Sequence, residues 1–271
     1  MDIFQAIILG IVEGITEFLP ISSTGHLILA SKLLSISQTD FVKTFEIAIQ
    51  SGAILAVIAL YWKDIMTKTE SLKKVLAAFI PTGVIGFLLY KLIKQYLLGN
   101  SSVVLWSLAL GGIALIALEL YLKRKNQKSS TVPAGRQVIN HQSIATVSYK
   151  NAVIIGIIQS ISVVPGVSRA AATIFGGMLM GMDRKTAVEF SFLLAIPTML
   201  AATGLDLVKT SFYFSTNEWI ALGIGIITSF VVAIFAIKWL LSYVKKYSFI
   251  PFGIYRIAVA IFLFGLFFFG K

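Results

Sequence analysis

Six stretches of this chain, at about 44 to 61, 76 to 95, 103 to 122, 186 to 205, 218 to 240 and 252 to 270, are apolar for close to the ~20 residues that a helix needs to cross a bilayer. Nothing else in the sequence narrows the fold as much. In lipid every backbone N–H and C=O must find its partner within the protein, and an α-helix satisfies them all inside one segment. Composition agrees, since 57% of the 271 residues are hydrophobic and 13% are charged, whereas charged residues make up about 25% of a soluble domain. An all-α polytopic membrane protein is expected. With no cysteine, disulfides and thiolate metal sites are excluded. The opening Met-Asp-Ile-Phe-Gln-Ala lacks the basic start of a cleavable signal peptide, so the mature chain is expected to begin there.

The net charge of +11 raises the question of nucleic acid, but the basic residues fall in short loops between apolar runs and form no continuous patch. Topology accounts for them. With the N-terminus outside, sixteen Lys and Arg collect on one face, Lys123, Arg124, Lys125, Arg184, Lys185 and Arg256 among them, and six on the other. The richer face is assigned to the cytoplasm. Residues 123–149 are the one long polar stretch and read as a flexible cytoplasmic connector between halves at 1–122 and 150–271. His141, alone in it, is given no role.

Residues 10 to 28 place Glu13, Glu17, Ser22, Ser23, Thr24 and His26 inside an otherwise apolar run. Glu13 and Glu17, four apart, share one helical face, where like charges repel unless a cation or a proton lies between them. Pro20 ends that helix, and the hydroxyls after it offer N-cap oxygens to a second helix starting near Gly25 and His26. Neither half is long enough to span, so a re-entrant hairpin is expected, its broken tip buried in protein or lining a wet cavity. The N-terminal amides of the second helix favour an anion at that tip.

After the connector, Gly156-Ile-Ile-Gln-Ser-Ile-Ser162 parallels Gly10-Ile-Val-Glu-Gly-Ile-Thr16; Pro165 answers Pro20 and, after a one-residue slip, Ser168 answers Ser23. A hairpin and three spans in each half oblige the second half to enter from the opposite side, the inverted repeat that brings two broken helices together near the midplane. The second tip carries Arg169, with Thr173 on the same helical face. An arginine at membrane depth costs at least about 2.5 kcal/mol and calls for an anion, for which Glu13, Glu17 and a substrate phosphate are the candidates. Gly176, Gly177 and Gly181 are expected to allow close helix packing.

Glu-Gly-Ile-Thr-Glu-Phe-Leu-Pro-Ile-Ser-Ser-Thr-Gly-His at 13–26, with Pro-Gly-Val-Ser-Arg at 165–169 and Thr173, resembles the undecaprenyl-diphosphate phosphatase family of bacterial membranes. Segment order, length and hydropathy agree along nearly the whole chain; Ala170-Ala171 stand where the family usually has Ser-Gly. The resemblance implies hydrolysis of the C55 isoprenoid diphosphate to undecaprenyl phosphate and inorganic phosphate, which recycles the lipid carrier for cell-wall synthesis and confers bacitracin resistance. It implies a multi-pass protein of the bacterial plasma (inner) membrane; the charge count, which puts the N-terminus outside, opens the mouth of the first hairpin to the periplasm or exterior, which suits that function. Its partners would be the lipid substrate and the bilayer, with no nucleic acid; homo-oligomerisation is left open.

Phosphoryl transfer needs charge neutralisation on the phosphate oxygens, an in-line nucleophile and a proton donor for the leaving group. Arg169 and the two helix N-termini supply positive field, with Ser22, Thr24, Ser168 and Thr173 as further phosphate contacts. Ser23 as nucleophile with His26 or Glu17 as base, and His26 attacking directly, are both open. Glu13 and Glu17 would hold a divalent cation, magnesium or calcium, or share a proton. A hydroxyl in a membrane helix most often bonds the preceding turn, and Glu46, Glu119 and Glu189 near span ends read as structural or interfacial. Four ionisable groups at two tips are harder to assign to packing. A transporter or lipid-carrier flippase is the rival from another class, because inverted repeats of broken helices are typical of carriers. The type 2 phosphatidic acid phosphatases need a histidine downstream of the Ser-Arg element, and none follows Arg169.

Overall fold

The computed structural model describes residues 1–97, 100–129, 143–208 and 214–268. Six helices have the length and apolarity to cross a membrane: α3 (Asp40–Thr67), α4 (Thr69–Leu92), α5 (Ser101–Ser129), α8 (Arg184–Val208), α9 (Thr216–Val244) and α10 (Ile250–Phe268). They coincide with the six apolar stretches. Four shorter helices form two pairs, α1 (Ile3–Thr16) with α2 (Ser23–Leu33) and α6 (Tyr149–Gln159) with α7 (Arg169–Leu179). The longest of these has 14 residues, about 21 Å at 1.5 Å per residue, too short for a hydrocarbon core of about 30 Å.

Local sequence sets these boundaries. Asp2 and Gln5 cap α1 reciprocally, each side chain accepting from the other's backbone N–H. Small residues then let helices approach where lipid supplies no hydrophobic drive between them. A Cβ on Gly14 of α1 would stand 2.7 Å from the Ser229 carbonyl of α9, and one on Gly112 of α5 would stand 2.6 Å from the Gly253 carbonyl of α10. Gly156 of α6 lies flush on Ala78 and Pro81 of α4. Phe18, in the turn after α1, packs edge-on against Phe192 of α8 at 5.4 Å and joins the main core to the first tip.

Several expectations need correction. The start of the 123–149 stretch is helical and not loop, since α5 continues through the basic run to Ser129; His141 lies outside the described residues. Gly181 is a helix terminator and packs against nothing: its φ is +89°, and Gly181 N–H and Met182 N–H return to the carbonyls of Met178 and Gly177. Gly176 and Gly177 do meet neighbours, Ile158 and Ala187. Glu119 is buried, with a two-pronged ion pair to Arg184 at 2.8 and 2.6 Å and a bond from the Phe249 N–H, so it ties α5, α8 and the start of α10 together. Trp62, Trp106, Trp219 and Trp239 are all exposed, which makes them part of the outer belt.

The correspondence between the tips also differs from the expected one. Ser22 and Ser168 are the N-caps of α2 and α7, at φ 73° and 74°, and each helix runs for 11 residues. Ser168 therefore answers Ser22 at the spacing that pairs Gly156 with Gly10, without a slip. Arg169 falls where Ser23 stands, and Gln159 where Glu13 stands.

Candidate active site

Both tips break in the same way. After Thr16 the chain turns through residues 17–21 and re-enters helix at Ser23, with the Ser22 hydroxyl accepting from Gly25 N–H. After Gln159 a 3-10 turn, Ser160–Val163, leads through Pro165 and Gly166 to Ser168, whose hydroxyl accepts from Ala171 N–H. A positive φ is uncommon for a residue with a Cβ and marks both capping serines as strained positions held by their surroundings.

The tips meet at Glu17. One carboxylate oxygen accepts from Arg169 Nη2 at 3.1 Å and the other from Ser23 Oγ at 2.6 Å. Both charged side chains are nearly buried, at 7% and 10% exposure, so water screens the pair little and its electrostatic interaction is strong. Arg169 Nη1 donates to the Ser191 carbonyl at 2.8 Å, and its guanidinium lies over the Phe18 ring. Its Nε, buried, has no partner. A cleft of about 250 Å³ opens here, its wall carrying Glu17, Ser22, Ser23, Thr24, Ser168 and Arg169, with Gln50, Thr82 and Thr198 farther round. Two helix N-termini, one arginine and a ring of hydroxyls fit an anion with several oxygens.

Glu13 stands behind Glu17, fully buried, and neither of its oxygens meets a donor. Its charged neighbours are Glu17, Glu46 and Arg169. Among the described residues no three His, Cys, Asp or Glu side chains come together as metal ligands. An orphaned carboxylate beside a second one still fits a cation of the magnesium kind, which takes one or two carboxylates and completes its shell with substrate phosphate and water.

Besides Glu13, two named residues lie off the cleft wall. His26 Nδ1 is 2.7 Å from the Ser22 carbonyl, and because a carbonyl can only accept, Nδ1 carries the hydrogen. Nε2, 2.8 Å from the Tyr255 hydroxyl, accepts from it when the ring is neutral. Both nitrogens are thus engaged, and neither faces Ser23. Thr173 is fully buried and reaches Gln159 Oε1 at 2.8 Å and the Arg169 carbonyl at 2.9 Å, while Gln159 Nε2 reaches Thr82 and Thr198. This network holds the second tip against α4 and α8.

The sequence reading missed Arg256 and Tyr255. Arg256 was counted with the cytoplasmic basic residues, yet it is fully buried and bonded to carbonyls of both tips. The signal was present in its position, seven residues into an apolar 19-residue helix, where an arginine does not stand without a partner. A second cavity, of about 220 Å³ and lined by Tyr61, Asp64, Lys68, Lys185 and Glu189, has less to offer an anion. Lys68 is matched by Asp64 at 2.8 Å and Lys185 by Glu189 at 3.6 Å.

Comparison with known proteins gives the same direction. The undecaprenyl-diphosphatase of Aquifex aeolicus (strain VF5) is 52% identical over 261 residues, 96% of this chain and 97% of that protein. The undecaprenyl-diphosphatase of Persephonella marina (strain DSM 14350 / EX-H1) is 51% identical over 98% of this chain and 99% of its own length. That of Campylobacter jejuni subsp. jejuni serotype O:6 is 46% identical over the full chain and 96% of its own length. The family model described as bacitracin resistance protein BacA matches residues 6–262, and the chain belongs to that family.

Proposed function

We propose that this protein hydrolyses undecaprenyl diphosphate to undecaprenyl phosphate and inorganic phosphate. The observation that carries the reading is Glu17, bonded at once to Ser23 of one tip and Arg169 of the other. Near-full-length relatives that bear the name undecaprenyl-diphosphatase support the substrate.

In this reading the terminal phosphate lies between the N-termini of α2 and α7 and takes over Arg169, which offers a planar, two-pronged donor. Ser23 Oγ attacks phosphorus as its proton passes to Glu17. The bond from phosphorus to the bridging oxygen breaks, and undecaprenyl phosphate leaves with that oxygen and the electron pair. Glu17 gives the serine proton up to the departing undecaprenyl phosphate. As base again it takes a proton from water, whose oxygen attacks the phosphoserine phosphorus; the bond from phosphorus to Oγ breaks, and Glu17 returns the proton to Ser23 Oγ as phosphate leaves. The engaged nitrogens of His26 favour Ser23 over the imidazole as nucleophile, and Thr24, Ser22 and Ser168 serve as phosphate contacts. Glu13 and Glu17 would hold a divalent cation, which would neutralise charge on the diphosphate when bound. Thr173 acts on the second tip through Gln159 and the Arg169 carbonyl.

The pairing of Ser22 with Ser168 at matched backbone angles supports two halves, 1–122 and 150–271, inserted in opposite senses with α1–α2 and α6–α7 as re-entrant hairpins. The protein resides in the bacterial inner membrane, with residues 20 to 40 toward the periplasm or exterior and the basic end of α5 in the cytoplasm. Purified protein in detergent, where no gradient exists, releases phosphate from undecaprenyl diphosphate; a carrier of the lipid would release none. Ser37→Cys in intact cells reacts with a membrane-impermeant thiol reagent and Ser129→Cys does not; the reverse labelling would invert the topology.

A further inference from the structure

The contact between Glu17 and Arg169 cannot by itself keep the two tips in register during turnover, because the substrate phosphate competes for the same guanidinium. A tie that substrate cannot reach lies directly behind the tips. Arg256 has no exposed surface, and all five of its N–H groups are used. Nη1 donates to the carbonyls of Pro20 at 3.2 Å and Val167 at 3.0 Å. Nη2 donates to those of Gly166 at 3.0 Å and Ser107 at 2.9 Å, and Nε to that of Leu108 at 3.2 Å. One guanidinium therefore joins the first tip, the second tip and α5.

Its acceptors are all backbone carbonyls, and no carboxylate among the described residues pairs with it. Such a cation costs free energy in a low-dielectric interior unless every donor is satisfied, as here. The space is kept by Gly111, where a Cβ would run into Nη2. Two of the five carbonyls come immediately before Ser168, the cap of α7. Because the peptide bond is trans, the Ser168 N–H is turned away from the guanidinium that holds the Val167 carbonyl.

We propose that Arg256 is a positioning residue of the phosphate site, its guanidinium fixing the separation of the two tips and with it the reach between Ser23, Glu17 and Arg169. The kinetic part of the argument rests on the phosphatase reading above. Lysine keeps the charge but concentrates its donors at one point, so it cannot reach both tips and α5 together. A misplacement of about 1 Å at a reacting centre costs up to about a hundredfold in rate.

The test compares Arg256→Lys and Gly111→Ala in the purified full chain. The second variant leaves the arginine in place and displaces only its guanidinium. In each, kcat for phosphate release falls by about tenfold to a hundredfold while KM moves by less than about threefold. Spin labels on Thr24→Cys and Ile161→Cys, in this cysteine-free chain, report a broader distance distribution between the tips in both variants than in the wild-type background. Wild-type kcat in either assembled variant overturns the proposal. So does a loss of kcat with an unchanged distance distribution, which would mean that Arg256 affects turnover without setting the separation of the tips. Failure of both variants to assemble, or of Arg256→Lys alone with normal turnover in Gly111→Ala, would make the residue an element of the fold and nothing more. Should the wild-type protein release no phosphate, the phosphatase reading fails, and the distance measurement still decides the positioning.

Discussion

Replacing Glu17 by glutamine removes a charge and a base while leaving a side chain of the same shape. The amide oxygen can still accept from Arg169 Nη2, and the amide group still lies within reach of Ser23, so the tips stay bridged. What disappears is the capacity to take the proton of Ser23 Oγ. General-base catalysis is worth about 10²- to 10⁴-fold, which at 1.36 kcal/mol per tenfold is about 3 to 5 kcal/mol of transition-state stabilisation. Breaking a buried ion pair costs a similar amount of stability in the free protein, but bound substrate offsets it, because its phosphate replaces the missing carboxylate beside Arg169. The expected signature in a detergent phosphate-release assay is therefore a kcat at least about a hundredfold lower, with KM unchanged or reduced and a lowered melting temperature in the absence of substrate. A variant with wild-type kcat and a raised KM would refute the assignment and make Glu17 a binding group only.

Arg169→Lys inserts and folds but loses most turnover, because a single ammonium cannot hold both the Ser191 carbonyl and a phosphate edge; near-normal phosphate release would remove Arg169 from the site. If Glu13 and Glu17 hold a cation, chelator abolishes phosphate release and added magnesium or calcium restores it, whereas full activity in excess chelator excludes the metal and leaves the shared proton. Gly156→Val forces α6 away from Ala78 and Pro81, and overpacking of this kind costs about 1 to 3 kcal/mol; a thermal transition equal to that of wild type would show that the contact is dispensable.

The sequence alone determined the class and the membrane helices, because hydropathy over about 20 residues is a local property that lipid enforces segment by segment. It also marked the local stretches to which the proposed chemistry is assigned. Glu13, Glu17, Ser23 and Arg169 stand out as polar groups in apolar runs, and the cost of placing them there is read from the neighbours in sequence alone. Partnership is another matter. That Glu17 rather than Glu13 meets Arg169, that Ser23 bonds Glu17 while His26 turns to Tyr255, and that Glu13 is left without a donor depend on rotations about tips 152 residues apart in the chain. No periodicity encodes these rotations. Arg256 shows the limit most plainly, since its place in an apolar helix calls for a partner without saying which. Only the crossing of α5 and α10 over Gly111, Gly112 and Gly253 carries its guanidinium inward to carbonyls that no side-chain pattern announces. Backbone acceptors exist at every residue, so which of them a buried donor finds is decided by how the helices pack.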